Sequence, residues 1–164
     1  MTIDGIAVHT EPLWRAQANF LIRAALRRED APHRFEQLWA RRMDEAEFEL
    51  CCVPFFTYGM ALGDIVRTKA EGGSTHLVEK VMSHSGHSTY RVWFGQKPID
   101  QEEVIAELDR IGGAHERSSR NLIAVDAPDG NVARKVVDYL SERQERGDLL
   151  FESGYDANDP HGQR

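Results

Sequence analysis

The sequence predicts an α+β protein, with an N-terminal β-rich, small barrel-like lobe followed by a ferredoxin-like βαββαβ lobe. Three observations carry this. Short β-rich pieces separated by turn formers fill the chain up to residue 88. Two capped, amphipathic helices lie beyond residue 100. The order strand, helix, strand, strand, helix, strand from residue 89 is the split βαβ pattern, which places both helices on one face of a four-stranded sheet.

In the first lobe, Asn19 to Leu26 sets Phe20, Ile22, Ala24 and Leu26 on one period-two phase, which favours a strand over the competing amphipathic helix. Arg28 to His33, with Pro32, reads as a connection. Phe35–Met43, Phe48–Phe55, Asp64–Lys69 and His76–Ser83 are the next strand candidates. Short strands with tight breaks suggest a sheet that closes on itself to remove its edges.

In the second lobe, Thr89–Phe94 is a β-branched and aromatic strand. Asp100 stands as an N-cap with Glu103 three residues on, and Val104, Ile105, Leu108 and Ile111 share one helical face before Gly112-Gly113. Ala114–Ser119 is a polar, edge-like strand and Leu122–Val125 an apolar central one. A second helix buries Val132, Val136, Tyr139 and Leu140 and stops at Gly147, and Leu149–Glu152 returns as a strand. The expected division is 12–88 for the β-rich lobe, 89–154 for the ferredoxin-like lobe and 155–164 for a flexible tail. Trp14, Trp39 and Trp93 are expected as core or lobe-interface anchors.

Composition limits function more than it defines it. The 164 residues suit one compact body, with 41% apolar and 29% charged residues. No run reaches the roughly 18 apolar residues of a membrane span, and the start lacks the regions of a signal peptide, so neither membrane nor secretion is expected. Cys51 and Cys52 are the only cysteines. Adjacent thiols with no partner elsewhere fit a reducing compartment, hence a cytoplasmic protein. The net charge of −7 lies wholly in residues 100–164, which hold 8 Lys/Arg against 15 Asp/Glu. An acidic lobe repels phosphate, so nucleic acid is not an expected partner.

Two constellations are candidate sites. Ser83-His84-Ser85-Gly86-His87-Ser88-Thr89 offers two imidazoles, hydroxyls and a glycine. His84, Ser85 and His87 are its catalytic candidates, with a solvated turn as the plain alternative. No standard metal spacing accompanies it, so no metal and no cofactor is expected. The second is Cys51-Cys52-Val53-Pro54-Phe55-Phe56-Thr57-Tyr58-Gly59, where Phe55, Phe56 and Tyr58 either wall a pocket or plug the barrel.

Phe35-Glu36-Gln37-Leu38-Trp39-Ala40, Cys51-Cys52-Val53-Pro54-Phe55-Phe56, Ala61-Leu62-Gly63-Asp64-Ile65-Val66 and Ser85-Gly86-His87-Ser88-Thr89-Tyr90-Arg91 together resemble bacterial domain-of-unknown-function family 4265. The likeness covers most of residues 14–95. The family pattern has Asn-Ile-Pro-Phe-Phe where this chain has Cys52-Val53-Pro54-Phe55-Phe56, which counts against Cys52 as an obligatory ligand or nucleophile. The family name carries no activity.

Three functions remain open. The first is a binding module whose inter-lobe cleft, lined by Phe55, Phe56, Tyr58, His84 and His87, takes a small molecule or a peptide segment. The second is a hydrolytic enzyme using His84, Ser85 and His87. The third is a protein-interacting regulator or immunity-like factor using its acidic C-terminal face. A homodimer is a further expectation, by fold analogy.

Overall fold

The computed structural model describes residues 2–3, 5–26, 33–96 and 98–162. In chain order its elements are β1 (Thr2–Ile3), β2 (Ile6–Ala7), β3 (Phe20–Ala25), β4 (Phe35–Arg42), β5 (Glu47–Leu50), β6 (Ile65–Ala70), β7 (His76–Ser83), β8 (Ser88–Trp93), α1 (Gln101–Arg110), β9 (Ala114–Ser119), β10 (Leu122–Ala127), α2 (Gly130–Glu145) and β11 (Leu150–Tyr155). The strand preferred over a helix at Asn19–Leu26 is β3. Of the expected connection at Arg28–His33, residues 28–32 lie outside the described residues.

The first sheet runs β1-β2-β4-β3-β7-β6-β5, and β5 also pairs with β4, closing five strands into a barrel. Alternation fills it. Ile22 and Ala24 of β3, Leu38 and Ala40 of β4, and Phe48 and Leu50 of β5 point inward and pack with Cys52, Met60 and Val66. The expected strand Phe48–Phe55 is shorter than its apolar run, because β5 ends at Leu50. Beyond it, Pro54 has no N–H to give a ladder, and the N–H groups of Val53, Phe55, Phe56 and Thr57 donate to buried carboxylates instead.

The second sheet has the order β11-β8-β10-β9, with every neighbour antiparallel. The helices cover one face. Asp100 and Asp129 cap them, accepting from the N–H of Glu103 and of Val132. Val104, Ile105 and Leu108 of α1 and Val136 and Leu140 of α2 pack on Tyr90, Val92, Ile123 and Val125. The chain is thus a mixed α+β fold with a closed five-stranded barrel and a second sheet carrying two helices.

The other face of the second sheet meets the barrel lobe, and its register sorts it into rows. Leu150, Trp93 and Leu122 form an outer row; Glu152, Arg91, Ala124 and Glu116 form the next; Thr89 and Asp126 follow. Ala124 packs with Val53, Phe55 and Leu62. Phe55 therefore does not fill the barrel and lies in the seam between lobes. Trp14 and Trp39 are half-buried as anchors, but Trp93 is 42% exposed, because its strand alternation turns it to the face away from the helices.

Residues 155–158, expected to fray, are tied down. Tyr90 Oη donates to Asp156 (2.9 Å), Ala157 N to Ser88 Oγ (2.9 Å) and Asn158 Nδ2 to the Gly130 carbonyl (3.0 Å). Among the described residues, no helix is long and apolar enough to cross a membrane.

Candidate functional site

Polar groups concentrate in the seam. His9 lies between Glu116 on β9 (Nδ1 to Oε1, 2.7 Å) and Glu36 on β4 (Nε2 to Oε2, 2.8 Å), and its ring stacks on Phe55 at 3.9 Å. Carboxylates only accept, so both imidazole nitrogens carry protons. Burial is the largest influence on His9 and opposes that charge, but Cys52, Glu116 and Glu36 outweigh it and hold the imidazole well above its ordinary range.

Glu36 is fully buried and in phase with Leu38 and Ala40. It accepts from the N–H groups of Phe55 (2.6 Å), Phe56 (3.0 Å) and Thr57 (2.9 Å) and from Thr57 Oγ1 (2.7 Å). Burial alone pushes its carboxyl up, yet His9 and these donors bring it down to about 2. From the other side of the loop, the Arg91 guanidinium donates to the carbonyls of Phe55 and Thr57 and to Glu152, and lies over the Tyr58 ring. Tyr58 Oη donates to Glu152 (2.7 Å). Segment 55–58 is therefore clamped by its own backbone groups.

The outer row is left open. Phe56, Trp93, Leu122, Leu150 and Phe151 line a surface cleft of about 320 Å³, with Phe55, Arg91 and Glu152 at its inner end. Leu150 is 60% exposed. A concave apolar patch of this kind is the informative exception on a protein surface, unlike scattered single residues.

The Ser83–Thr89 loop occupies the opposite end of the seam. His84 Nδ1 donates to Asp64 (3.0 Å) and its ring stacks on Tyr155 at 4.2 Å. His87 Nδ1 donates to Asp126 (2.7 Å), with Trp14 edge-on at 5.7 Å. Asp64 also accepts from the N–H groups of Ala61 and Ser85, which fixes the loop on β6. Gly63 has φ 84°, and a Cβ there would come within 3.0 Å of Ser85 and 3.2 Å of Trp14, so the turn needs glycine. The hydrogen bond to Asp126 raises the His87 pKa, and burial raises that of Asp126.

Among the described residues, neither imidazole makes a hydrogen bond through Nε2. Ser85 Oγ, however, donates to the Leu62 carbonyl (2.6 Å) and accepts from His87 N–H (3.2 Å). No hydrogen bond joins it to either imidazole among the described residues. There, too, no group of three or more His, Cys, Asp or Glu is placed to hold a metal.

The predicted site residues are thus divided. Phe55 and Phe56 line the apolar cleft, Tyr58 braces its inner end through Glu152, and His84 and His87 line neither this cleft nor the other described ones. Cys51 is buried, and burial pushes its thiol up to about 12, so it is not a reactive thiolate. Sequence reasoning missed His9, Glu36, Arg91 and Glu116. The available signal was a charged residue on an inward strand phase: Glu36 with Leu38, and Glu116 opposite Ala124.

On the helix side, Glu103, Glu107 and Glu142 share a groove with Arg110, Arg143 and Arg146. Ion pairs join Arg110 to Glu107 (2.6 Å), Arg143 to Glu103 (3.6 Å) and Arg146 to Glu142 (2.6 Å). Three carboxylates of the acidic face are thereby paired with arginines of the same face.

A solved structure described as a novel crystal structure of a hypothetical protein from Neisseria gonorrhoeae is similar in fold. It has a TM-score of 0.71 and 17% sequence identity, over 82% of this chain and 92% of that one. No curated protein matches this chain. Residues 36–151 match the domain of unknown function DUF4265, and a match over this much of the sequence places the chain in that family.

Proposed function

We propose that the protein is a binding module whose inter-lobe cleft takes one planar or aliphatic group, presented by a small ligand or by a peptide. The observation that carries this is the pairing of exposed Trp93 and Leu150 with Phe56 in a cleft whose inner end is immobilised. At about 320 Å³ it is near the lower end of ligand-pocket sizes, roughly 300–1,000 Å³. The Arg91 guanidinium is engaged by two carbonyls and Glu152, so it offers little to a charged ligand, and selectivity rests on apolar fit. A preformed wall spares the ordering cost of binding.

The second lobe we read as ferredoxin-like, a reading supported by its strand order of fourth, first, third, second. We divide the lobes near residue 88 and assign the chain to the cytoplasm, supported by two free, buried thiols.

The test is a nuclear magnetic resonance titration with planar apolar fragments at millimolar concentration. Shifts are expected at the Trp93 indole N–H and the Phe56 amide, and are lost in Leu150→Glu. Absence of shifts at Trp93, or unchanged binding in Leu150→Glu, contradicts the proposal.

A further inference from the structure

The inner end of the apolar cleft carries two opposite charges, unequally placed. Arg91 keeps 6% of its side chain exposed and Glu152 keeps 41%. The guanidinium is engaged by the carbonyls of Phe55 and Thr57 and by the Tyr58 ring. Glu152 accepts from Tyr58 Oη (2.7 Å) and from Arg91 Nη1 (3.4 Å) on one oxygen, Oε1. Its Oε2 makes no hydrogen bond among the described residues. A carboxylate accepts through both oxygens, so one of them is open to a donor. No other charged side chain lines the cleft among the described residues.

The charge behind the cleft has the same sign. His9 and Arg91 are the cations that face Glu36, Glu116 and Glu152, so these five groups hold one negative charge in excess. Glu36 is sealed and Glu116 nearly so, which leaves Glu152 as the carboxylate of the group that reaches solvent. His33, whose ring touches Phe56, is held below its ordinary range by burial and adds no positive charge at neutral pH. Beside apolar walls such an excess attracts a counter-charge more strongly than it does in open water.

We infer that the cleft takes a small organic amine, whose ammonium donates to Glu152 Oε2 and whose planar or aliphatic body lies against Trp93, Leu150 and Phe56. The inference rests on the cleft proposed above and names its ligand class. Apolar fit selects the body, and Glu152 selects the polar end. Leu150 and Glu152 are two residues apart on one face of β11, and Trp93 is paired with Leu150, so the two rows lie roughly 7 Å apart. A short chain between an ammonium and a ring or branched alkyl group spans that distance. A lysine side chain carries only a methylene stem behind its ammonium and leaves the apolar wall without a body to cover it. An anion meets Glu152 with no free donor to offset the repulsion, because Arg91 is already engaged.

The experiment titrates the full chain with phenethylamine, 2-phenylethanol and 3-phenylpropanoate, three molecules of similar shape, and follows Trp93 and Phe56 by nuclear magnetic resonance. The amine is expected to bind about fivefold or more tightly than the alcohol, and the acid more weakly than either. In Glu152→Gln, which keeps an oxygen for Tyr58, the amine and the alcohol should bind within about twofold of each other. The comparison on the unmodified chain does not depend on how the variant folds. An alcohol or acid that binds as tightly as the amine overturns the inference and leaves the cleft proposal standing; if none of the three shifts Trp93, both fall. An amine preference that persists in Glu152→Gln overturns the assignment to Glu152. An acetylated, amidated glycyl-lysyl-glycine that binds more tightly than phenethylamine overturns the small-molecule assignment.

Discussion

The two ends of the seam use the same groups, imidazole and carboxylate, in opposite ways. At the 53–58 end His9, Glu36 and Glu116 are sealed from solvent, and the carboxylates are saturated with backbone donors. At the 84–87 end His84 and His87 keep 40% and 16% of their side chains exposed over nearly sealed Asp64 and Asp126. Buried ion pairs do not add much net stability over apolar packing, but removing one partner strands the other. Pairs with an exposed partner matter little when broken. The buried end therefore acts as a fixed platform and the exposed end as an adaptable one. The cleft beside Trp93 is built on the fixed platform.

The largest expected effect follows from Glu36→Ala, which strands protonated His9 and three backbone donors. A loss of about 3–5 kcal/mol is expected by urea denaturation. A loss below about 1 kcal/mol would erase the distinction between the two ends. Arg91→Met removes donors to two carbonyls and to Glu152, and a loss of about 2–3 kcal/mol is expected by the same measurement.

The pH profile separates the ends further. The Glu36 carboxyl is depressed in the fold, so its contribution is present above its unfolded value near 4.5 and is lost as pH falls toward about 2. His87 is raised, so its contribution is full below its unfolded value near 6.5 and is lost as pH rises through the higher folded value. The unfolding free energy from urea denaturation should fall through that second window by less than about 1 kcal/mol, and Asp126→Asn should flatten the fall. The smallest effect is expected from Leu150→Glu, within about 0.5 kcal/mol of the parent, because the side chain already faces solvent.

Regular elements were legible because their causes are local. Asp100 and Asp129 cap helices from the positions at which the sequence places them, and the alternation of β3 and β4 predicts their inward residues. The clamp around segment 55–58 was not legible, since His9, Glu36 and Glu116 meet from separations of 27 and 107 residues. Composition marked Phe55 and Phe56 as notable but carried no sign that their backbone N–H groups go to a carboxylate. Trp93 read as an anchor for the same reason: its hydrophobicity is local, whereas the face it occupies is set by pairing with Leu150 and Leu122.

Amide hydrogen exchange at Phe55, Phe56 and Thr57 tests the fixed platform most directly. The account predicts that these amides exchange only through near-global opening in the parent chain, and that Glu36→Gln releases them while the amides of α1 and α2 remain protected. Fast exchange of the three in the parent chain, at rates like those of an exposed loop, would contradict it.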